Sequence, residues 1–333
     1  MVLGAGAIGA TIGGRLAESG SDVALVGRGE HARAVKRDGL RLVMPDRIAR
    51  LRIPMLTMGE LRLTSDDVLI VAVKSQDTRP LLDQLLGVPV GGSGDRSDLP
   101  VLCAQNGIAN EDAALRYFAR VYGVCVILPA THLEPGLVEA EGTPLSGVLH
   151  LGRYPGGTDD VIAAVAADLE NSAFGADVRP DVMAWKRAKL VSNLGNALQV
   201  LCEGPDQGSR PADGPLADVR SAMTAEAMAC FGAAGSPVTD RAEFRSASAG
   251  RFELKPIEGR LRGGGSTWQS VERGLPSVET DFLNGEIVRL GRLHAVRTPV
   301  NAAVQARMRD VVNGSLRPRT LDPAALLTER PGN

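Results

Sequence analysis

The chain has no surplus of charge of either sign, few cysteines and no long apolar run, and each deficit removes a class of function. With 37 Lys and Arg against 39 Asp and Glu, its formal net charge is -2 and its pI near 6.1. No global field draws it to nucleic acid or to an anionic membrane, so a small-molecule ligand is the expectation. Four cysteines (Cys103, Cys125, Cys202, Cys230) are widely separated, form no CxxC pair and have no histidines at metal-ligand spacing. They read as free thiols of a reducing cytoplasm, without disulfides or a bound metal. The stretch Met1 to Leu16 lacks a basic n-region and is interrupted by glycines and Arg15, and the later apolar runs, such as Val68 to Val73, are no longer than a strand. The expectation is a soluble, cytoplasmic protein.

At 333 residues the chain exceeds the usual size of a single core, so two domains are expected. The first half alternates short apolar runs with amphipathic stretches: Val2-Leu3, Ile8 to Ser19, Val23 to Val26, His31 to Asp38 and Val68 to Val73. Such alternation predicts an α/β Rossmann domain over residues 1–174, a parallel-rich doubly wound sheet covered by helices, with further strands near 101–104, 123–128 and 147–152. Helical patterns then take over at Met183 to Leu201, Val219 to Ala234, Val278 to His294 and Asn301 to Val312. They predict an all-α C-terminal domain over 175–333. Gly91 to Gly94 reads as a loop, and Gly204 to Pro215 and the tail from Arg317 as mobile segments.

Gly4-Ala5-Gly6-Ala7-Ile8-Gly9 follows a strand fragment and opens an amphipathic helix, the context in which GxGxxG binds a dinucleotide. Gly4 permits the turn, Gly6 lets a pyrophosphate approach, and Gly9 allows close helix packing. Ala7 and Ile8 begin the helix whose unpaired N–H groups face the anion. The second strand ends Leu25-Val26-Gly27-Arg28, with a guanidinium where a ribose-binding carboxylate would stand. Arg28 favours a 2′-phosphate and therefore NADP(H). Glu30 nearby keeps NAD(H) open, and a solvated loop arginine is the alternative. Lys74 and Asn106 follow two further strands at their C-terminal ends, the edge where ligands bind in open α/β sheets. A solvated lysine and an Asn-Gly turn are the bland alternatives.

In Lys189-Leu190-Val191-Ser192-Asn193-Leu194-Gly195-Asn196, the spacing i, i+4, i+7 would place Lys189, Asn193 and Asn196 on one face of a helix. An ammonium and two carboxamides there can donate several hydrogen bonds to one oxygen-rich molecule. The alternative is a surface lysine with asparagines capping or packing nearby. Lys186 shares the face and competes for the same role, but Leu190 stands four residues after it. His132 in Thr131-His132-Leu133-Glu134 reads as structure rather than as a catalyst.

The glycine loop, Lys74, Gln105-Asn106-Gly107, Lys189 with Asn193, and Val278-Glu279-Thr280-Asp281-Phe282-Leu283-Asn284-Gly285, in that order, resemble the ketopantoate reductase (2-dehydropantoate 2-reductase) family over nearly the whole chain. That family is similar in fold to 6-phosphogluconate dehydrogenase-like enzymes. The resemblance implies NADPH-dependent reduction of a 2-oxo acid to a 2-hydroxy acid in a cleft between domains. It makes Lys189 the catalytic lysine, Glu279 its acidic partner and Asn193 a substrate ligand. Asn106 falls near the nicotinamide and toward substrate, and Lys74 and Arg28 fall on the cofactor phosphates (NADPH/NADP+). Ser266 matches a substrate-contacting serine, with one inserted residue between it and Glu279. Asn196 falls slightly earlier than the family's second asparagine, which shifts substrate placement. Arg260 to Gly265 forms a basic, glycine-rich approach suited to an anionic substrate. A homodimer is compatible with the long helices. Two other readings stay open: a non-catalytic NADP(H)-binding sensor or structural partner, and a relative acting on a different carbonyl or on a β-hydroxy acid. Glu279 and Asn284 are the features that discriminate the last.

Overall fold

The structure is a computed structural model that describes residues 1–92, 95–203, 213–258, 264–274 and 277–328. The residues Ser93-Gly94, most of the Gly204 to Pro215 connection, the approach from Arg260 to Gly263 and the tail beyond Thr328 lie outside the described residues.

The chain divides into two compact units. The first holds Met1–Lys186 together with Asp240–Leu261, and the second Arg187–Thr239 with Arg262–Asn333. The division thus falls at Lys186 rather than at 174, and a later segment returns to the first unit. Sequence periodicity reads a chain in order and carries no signal for such a return.

In the first unit β1 (Val2–Leu3), α1 (Ala7–Glu18), β2 (Leu25–Val26) and α2 (Gly29–Asp38) lead into β3 (Leu40–Val43), β4 (Ile48–Leu51), β5 (Met55–Leu56) and β6 (Leu63–Thr64). There follow β7 (Leu69–Val71), α3 (Ser75–Leu85), β8 (Val90–Gly91), β9 (Val101–Cys103), α4 (Asn110–Leu115) and β10 (Val121–Ile127). The remainder is β11 (Ala130–Thr131), β12 (Leu137–Ala140), β13 (Gly142–Pro144), β14 (Val148–Arg153), α5 (Asp160–Asn171), β15 (Gly175–Val178) and the first part of α6 (Val182–Asn193). An eight-stranded sheet runs β15-β14-β10-β9-β7-β1-β2-β5, parallel throughout except between β10 and β14. The chain proceeds from β1 to β2 on one side and later adds β7 on the other, which makes the β1–β7 boundary the topological switch point.

Alternate residues of these strands enter two different cores, which is why their sequence reads as continuous apolar runs. Val2, Leu25, Ile70 and Leu102 join one cluster, with Ile12 of α1 and Val35 of α2. Leu3, Val26, Leu69, Val71, Val101 and Cys103 join the other, with Leu81 and Leu82 of α3. A second sheet, β11-β12-β3-β4, packs beside α1, with β12 parallel to β3. Its strands were not expected from the sequence pattern, since Leu40 to Val43 pairs with residues about a hundred positions away.

The second unit is helical among the described residues: the end of α6, α7 (Asn196–Leu198), a π-helical turn Gln199–Glu203, α8 (Pro215–Ala233), α10 (Ser266–Glu272), α11 (Asn284–Leu293), α12 (Pro299–Val312) and α13 (Pro323–Thr328). The short α9 (Arg241–Ser246) and β16 (Phe252–Leu254) belong to the returning segment, where β16 pairs with β13. Val219, Met223, Ala227 and Cys230 recur at helical spacing on α8 and are buried with Ile287 of α11 and Val304 and Met308 of α12. No described helix is long and apolar enough to cross a membrane.

Candidate active site

The glycine loop lies at the switch point. Gly4 has φ +105°, and a Cβ on it would stand 2.7 Å from the backbone nitrogen of Val73, so the turn admits no side chain. A Cβ on Gly9 would come within 2.0 Å of the Gly4 carbonyl oxygen. Gly6 differs from both. It is the N-cap of α1, offers no side-chain cap, and nothing lies within 4 Å of where its Cβ would point. The first-turn N–H groups of Ala7, Ile8 and Gly9 therefore begin a helix beside open space. That cradle fits an anionic pyrophosphate.

Arg28 caps the start of α2 at the end of β2, with its side chain 87% exposed and its guanidinium 3.2 Å from Asp77 of α3. Glu30, the carboxylate that kept NAD(H) open, pairs instead with Arg33, whose hydrogen bond holds it below the usual carboxylate range. Lys74 is half-buried at the N-cap of α3, directly after Val73.

The Gln105-Asn106 backbone at the end of β9 is held on several sides. Gln105 Nε2 donates to the Val73 carbonyl (2.9 Å) and to Thr78 Oγ1 (2.7 Å). The Asn106 carbonyl accepts from Asn110 Nδ2 (3.1 Å) and Ser75 Oγ (3.2 Å). Lys186 completes the set. Its ammonium is 2% exposed, lies 2.6 Å from Glu111 Oε1, and donates to the carbonyls of Gln105 (2.8 Å), Cys103 and Val124 (3.3 Å each). Lys186 thus belongs to the sheet's edge in the first unit and does not compete with Lys189 for a substrate. The sequence identified neither Glu111 nor this role, because the pair joins residues far apart in the chain.

In the second unit Lys189 is half-buried and Asn193, one turn later, is 7% exposed at the last residue of α6. Asn196 lies beyond a break in their helix. The expected helix Met183 to Leu201 ends at Asn193, turns through Leu194-Gly195, and resumes at Asn196 before the π turn. Glycine disfavours helix interiors, and Leu198 N bonds back to the Gly195 carbonyl at 3.2 Å in the tighter i−3 pattern.

Asn196 meets the start of α10. The Gly265 N–H donates to Gln199 Oε1 at 2.8 Å, and a Cβ on Gly265 would lie 3.4 Å from Asn196 Oδ1. Ser266 follows, with its Oγ buried and without a partner. Thr267 Oγ1 and Trp268 Nε1 beside it are buried in the same state, so this turn holds hydrogen-bonding capacity that a water or a ligand can use. Gln199, 4% exposed, is a residue the sequence reading missed; its carboxamide organises the turn that presents Ser266.

Glu279 is 4% exposed and opens a 3-10 turn, Glu279–Phe282, rather than a long α-helix. Val278 occupies the N-cap, with no side-chain cap. Leu283 breaks the chain direction before α11. Asn284, also fully inside, donates to the Leu194 carbonyl (3.3 Å) and to Asn301 Oδ1 (3.0 Å). Asn301 in turn donates to Glu226 at 2.7 Å, and Glu226 accepts from the first N–H groups of α12. Asn284 is therefore a tie between the Glu279 segment and the end of α6. His132 packs edge-on against His31 at 4.1 Å between ring centres, inside the first unit.

A glycine cradle at the switch point of a parallel sheet, in a chain whose helical unit buries Asn193 and Glu279, defines a dinucleotide-dependent oxidoreductase. Residues 1–156 match the family described as "Ketopantoate reductase PanE/ApbA", and residues 181–312 match its C-terminal counterpart. The chain belongs to the ketopantoate reductase family, oxidoreductases acting on a CH–OH group. It is 27% identical over 307 residues to a 2-dehydropantoate 2-reductase of Pyrococcus horikoshii, covering 90% of this chain and 93% of that protein. Its fold resembles a PanE/ApbA family ketopantoate reductase from Ralstonia eutropha JMP134, with TM-score 0.73, 24% identity and coverage of 94% of this chain and 99% of that one. It also resembles D-mandelate dehydrogenase in a ternary structure with NADH and anilino(oxo)acetate, with TM-score 0.73, 20% identity and coverage of 98% and 100%.

Proposed function

We propose that the protein reduces ketopantoate or a similar branched 2-oxo acid to the 2-hydroxy acid with NADPH, and that Lys189 is the general acid. When bound, the nicotinamide cofactor supplies the hydride. Everything else falls to the chain. As a carbonyl is reduced its oxygen gathers negative charge, and the Lys189 ammonium stabilises that oxygen and delivers a proton to it. Glu279 keeps Lys189 charged and oriented, or accepts from a substrate hydroxyl. Asn193, Asn196, Ser266 and Asn106 hold the substrate's carboxylate and hydroxyl groups, fixing which face of the carbonyl reacts. Positioning of this kind contributes on the order of 7 kcal/mol or more in favourable cases.

The observation that carries the reading is the buried, unpartnered Ser266 Oγ, one residue after the Gly265 that packs against Asn196, in the same unit as Lys189 and the enclosed Asn193. A protein that only senses NADP(H) has no use for these groups. The preference for NADPH rests on Arg28 at the end of β2 and on the engagement of Glu30 by Arg33. The ketopantoate assignment draws on relatives such as the Pyrococcus horikoshii enzyme.

The test follows NADPH absorbance with purified protein against a panel of branched and aryl 2-oxo acids that includes ketopantoate. Turnover of ketopantoate or a branched relative is expected. Turnover of an aryl 2-oxo acid alone would replace the substrate while keeping the reaction, and NADPH binding without turnover of any member would favour the sensor.

A further inference from the structure

Burying an ion pair is costly, and two apolar side chains of similar volume fill such a site at equal or better stability. Lys186 and Glu111 are nevertheless 2% and 0% exposed, with 2.6 Å between ammonium and carboxylate. Leucine or methionine would fill the volume but supply no hydrogen-bond donor, so the reason for the charges lies in the groups the ammonium meets.

The ammonium sits where two adjacent strands end. Cys103 of β9 pairs in register with Gly123 of β10, so the carbonyls of Cys103, Gln105 and Val124 converge beyond the last shared rung of the sheet. Lys186 Nζ donates to all three. Its shortest carbonyl contact, 2.8 Å, is to Gln105, whose carbonyl carbon is bonded to the nitrogen of Asn106. Glu111 supplies the counter-charge from the first turn of α4, one residue after Asn110, which itself holds the Asn106 carbonyl. The two peptide groups that flank the Asn106 α-carbon are thus fixed by neighbouring groups, one through Lys186 and one through Asn110 and Ser75.

We infer that Lys186 and Glu111 form a positioning pair for the nicotinamide end of the cofactor site, fixing the backbone from which Asn106 is presented. The inference rests on the reading of Asn106 as the residue at the nicotinamide. Neither partner is a catalytic residue, since both act through Asn106. The phosphates of the cofactor are held by other groups, the glycine loop, Lys74 and Arg28. Loss of the pair therefore loosens one end of the bound cofactor and spares its affinity.

The test compares the native protein with the double variant Lys186→Met/Glu111→Met, which removes both charges and keeps the volume. The single Lys186→Met variant leaves a buried carboxylate without compensation and is expected to melt far lower or not to fold. The double variant leaves no uncompensated charge but takes the donor from three buried carbonyls, so it is expected to fold and to melt below the native protein by less than the single variant does. NADPH is titrated against both proteins, reading the dissociation constant and the emission enhancement and lifetime of the bound nicotinamide. In the double variant the constant stays within about threefold, while the enhancement falls by about half or more. Turnover of the best 2-oxo acid falls by about tenfold to a hundredfold, the cost of a small misplacement. An unchanged emission signature, or weaker binding with the signature preserved, overturns the inference. Because the emission comparison needs no turnover, it decides the inference even if native protein reduces no 2-oxo acid, an outcome that counts against the proposed function alone.

Discussion

Alanine at Gly6 and alanine at Gly9 separate what the glycine loop does for the fold from what it does for the cofactor. At Gly6 the backbone has φ −76°, ordinary for alanine, and the new methyl meets nothing within 4 Å. The cost to the apoprotein is that of a poorer N-cap, about 1 kcal/mol or less. The same methyl fills the space in front of the α1 N-terminus and pushes a pyrophosphate off its donors. Losing two such charge-assisted hydrogen bonds at about 1.5–3 kcal/mol each predicts that the NADPH dissociation constant rises by about a hundredfold or more. At Gly9 the methyl would stand 2.0 Å from the Gly4 carbonyl oxygen and 3.1 Å from Ala72 Cβ. Backbone must move by roughly 1 Å, an overpacking cost of about 1–3 kcal/mol, so this variant loses stability as well as binding. Thermal melts without ligand and NADPH titrations by fluorescence give both quantities. If Gly6→Ala binds NADPH within about threefold of the native protein, the loop is not the pyrophosphate cradle; if Gly9→Ala melts like the native protein, the close approach of α1 to the Gly4 turn is wrong.

The glycine loop was legible in the sequence because its chemistry is local: strand, turn and helix start lie within nine residues of Met1. The same holds for Arg28, Lys74 and Asn106, each named by its place at a strand end. The spacing of Lys189 and Asn193 was also readable, whereas the departure of Asn196 depended on a break at Leu194-Gly195 that helical periodicity does not register. Lys186 looked like a second candidate on the same face. Only the three-dimensional meeting with Glu111, from a distant part of the chain, shows where its charge is used. Asn284 posed the converse problem: it sat in a family motif and read as a functional marker, yet its hydrogen bonds run to Leu194, Asn301 and, through Asn301, to Glu226. Such contacts follow from tertiary packing, which spacing cannot supply.

Replacing Arg28 by alanine should lower kcat/KM for NADPH by about tenfold to a hundredfold, the worth of a charge-assisted phosphate contact, and change that for NADH by less than about threefold. An equal loss with both cofactors would remove the proposed role of Arg28. His150 is wholly enclosed, 3.1 Å from Asp177 and with its ring centre 4.2 Å from that of Trp185 in a tilted contact, and burial pushes its pKa down to about 4 against the opposing pull of Asp177. The unfolded chain takes up this proton near pH 6.5 and the folded chain near pH 4, so stability present above pH 6.5 is lost as pH falls through that window. The loss is on the order of 3 kcal/mol, read by urea unfolding at several pH values, and a His150→Phe variant should lack that part of the slope. An identical slope in both proteins would contradict this account of His150. Asn284→Leu leaves the Leu194 and Asn301 acceptors without this donor and should cost about 2–3 kcal/mol in the same unfolding assay. A change below about 0.5 kcal/mol would show that the tie is not formed.

The central claim is that a lysine on α6 protonates the carbonyl oxygen of a 2-oxo acid, and the Lys189→Ala variant tests it most directly. NADPH affinity and NADPH oxidation with the best 2-oxo acid are measured side by side in native and variant protein. The account predicts an affinity within about threefold of native and a kcat lower by about a hundredfold to ten-thousandfold, the usual worth of a positioned general acid. A variant that binds NADPH normally and keeps most of its turnover would contradict it.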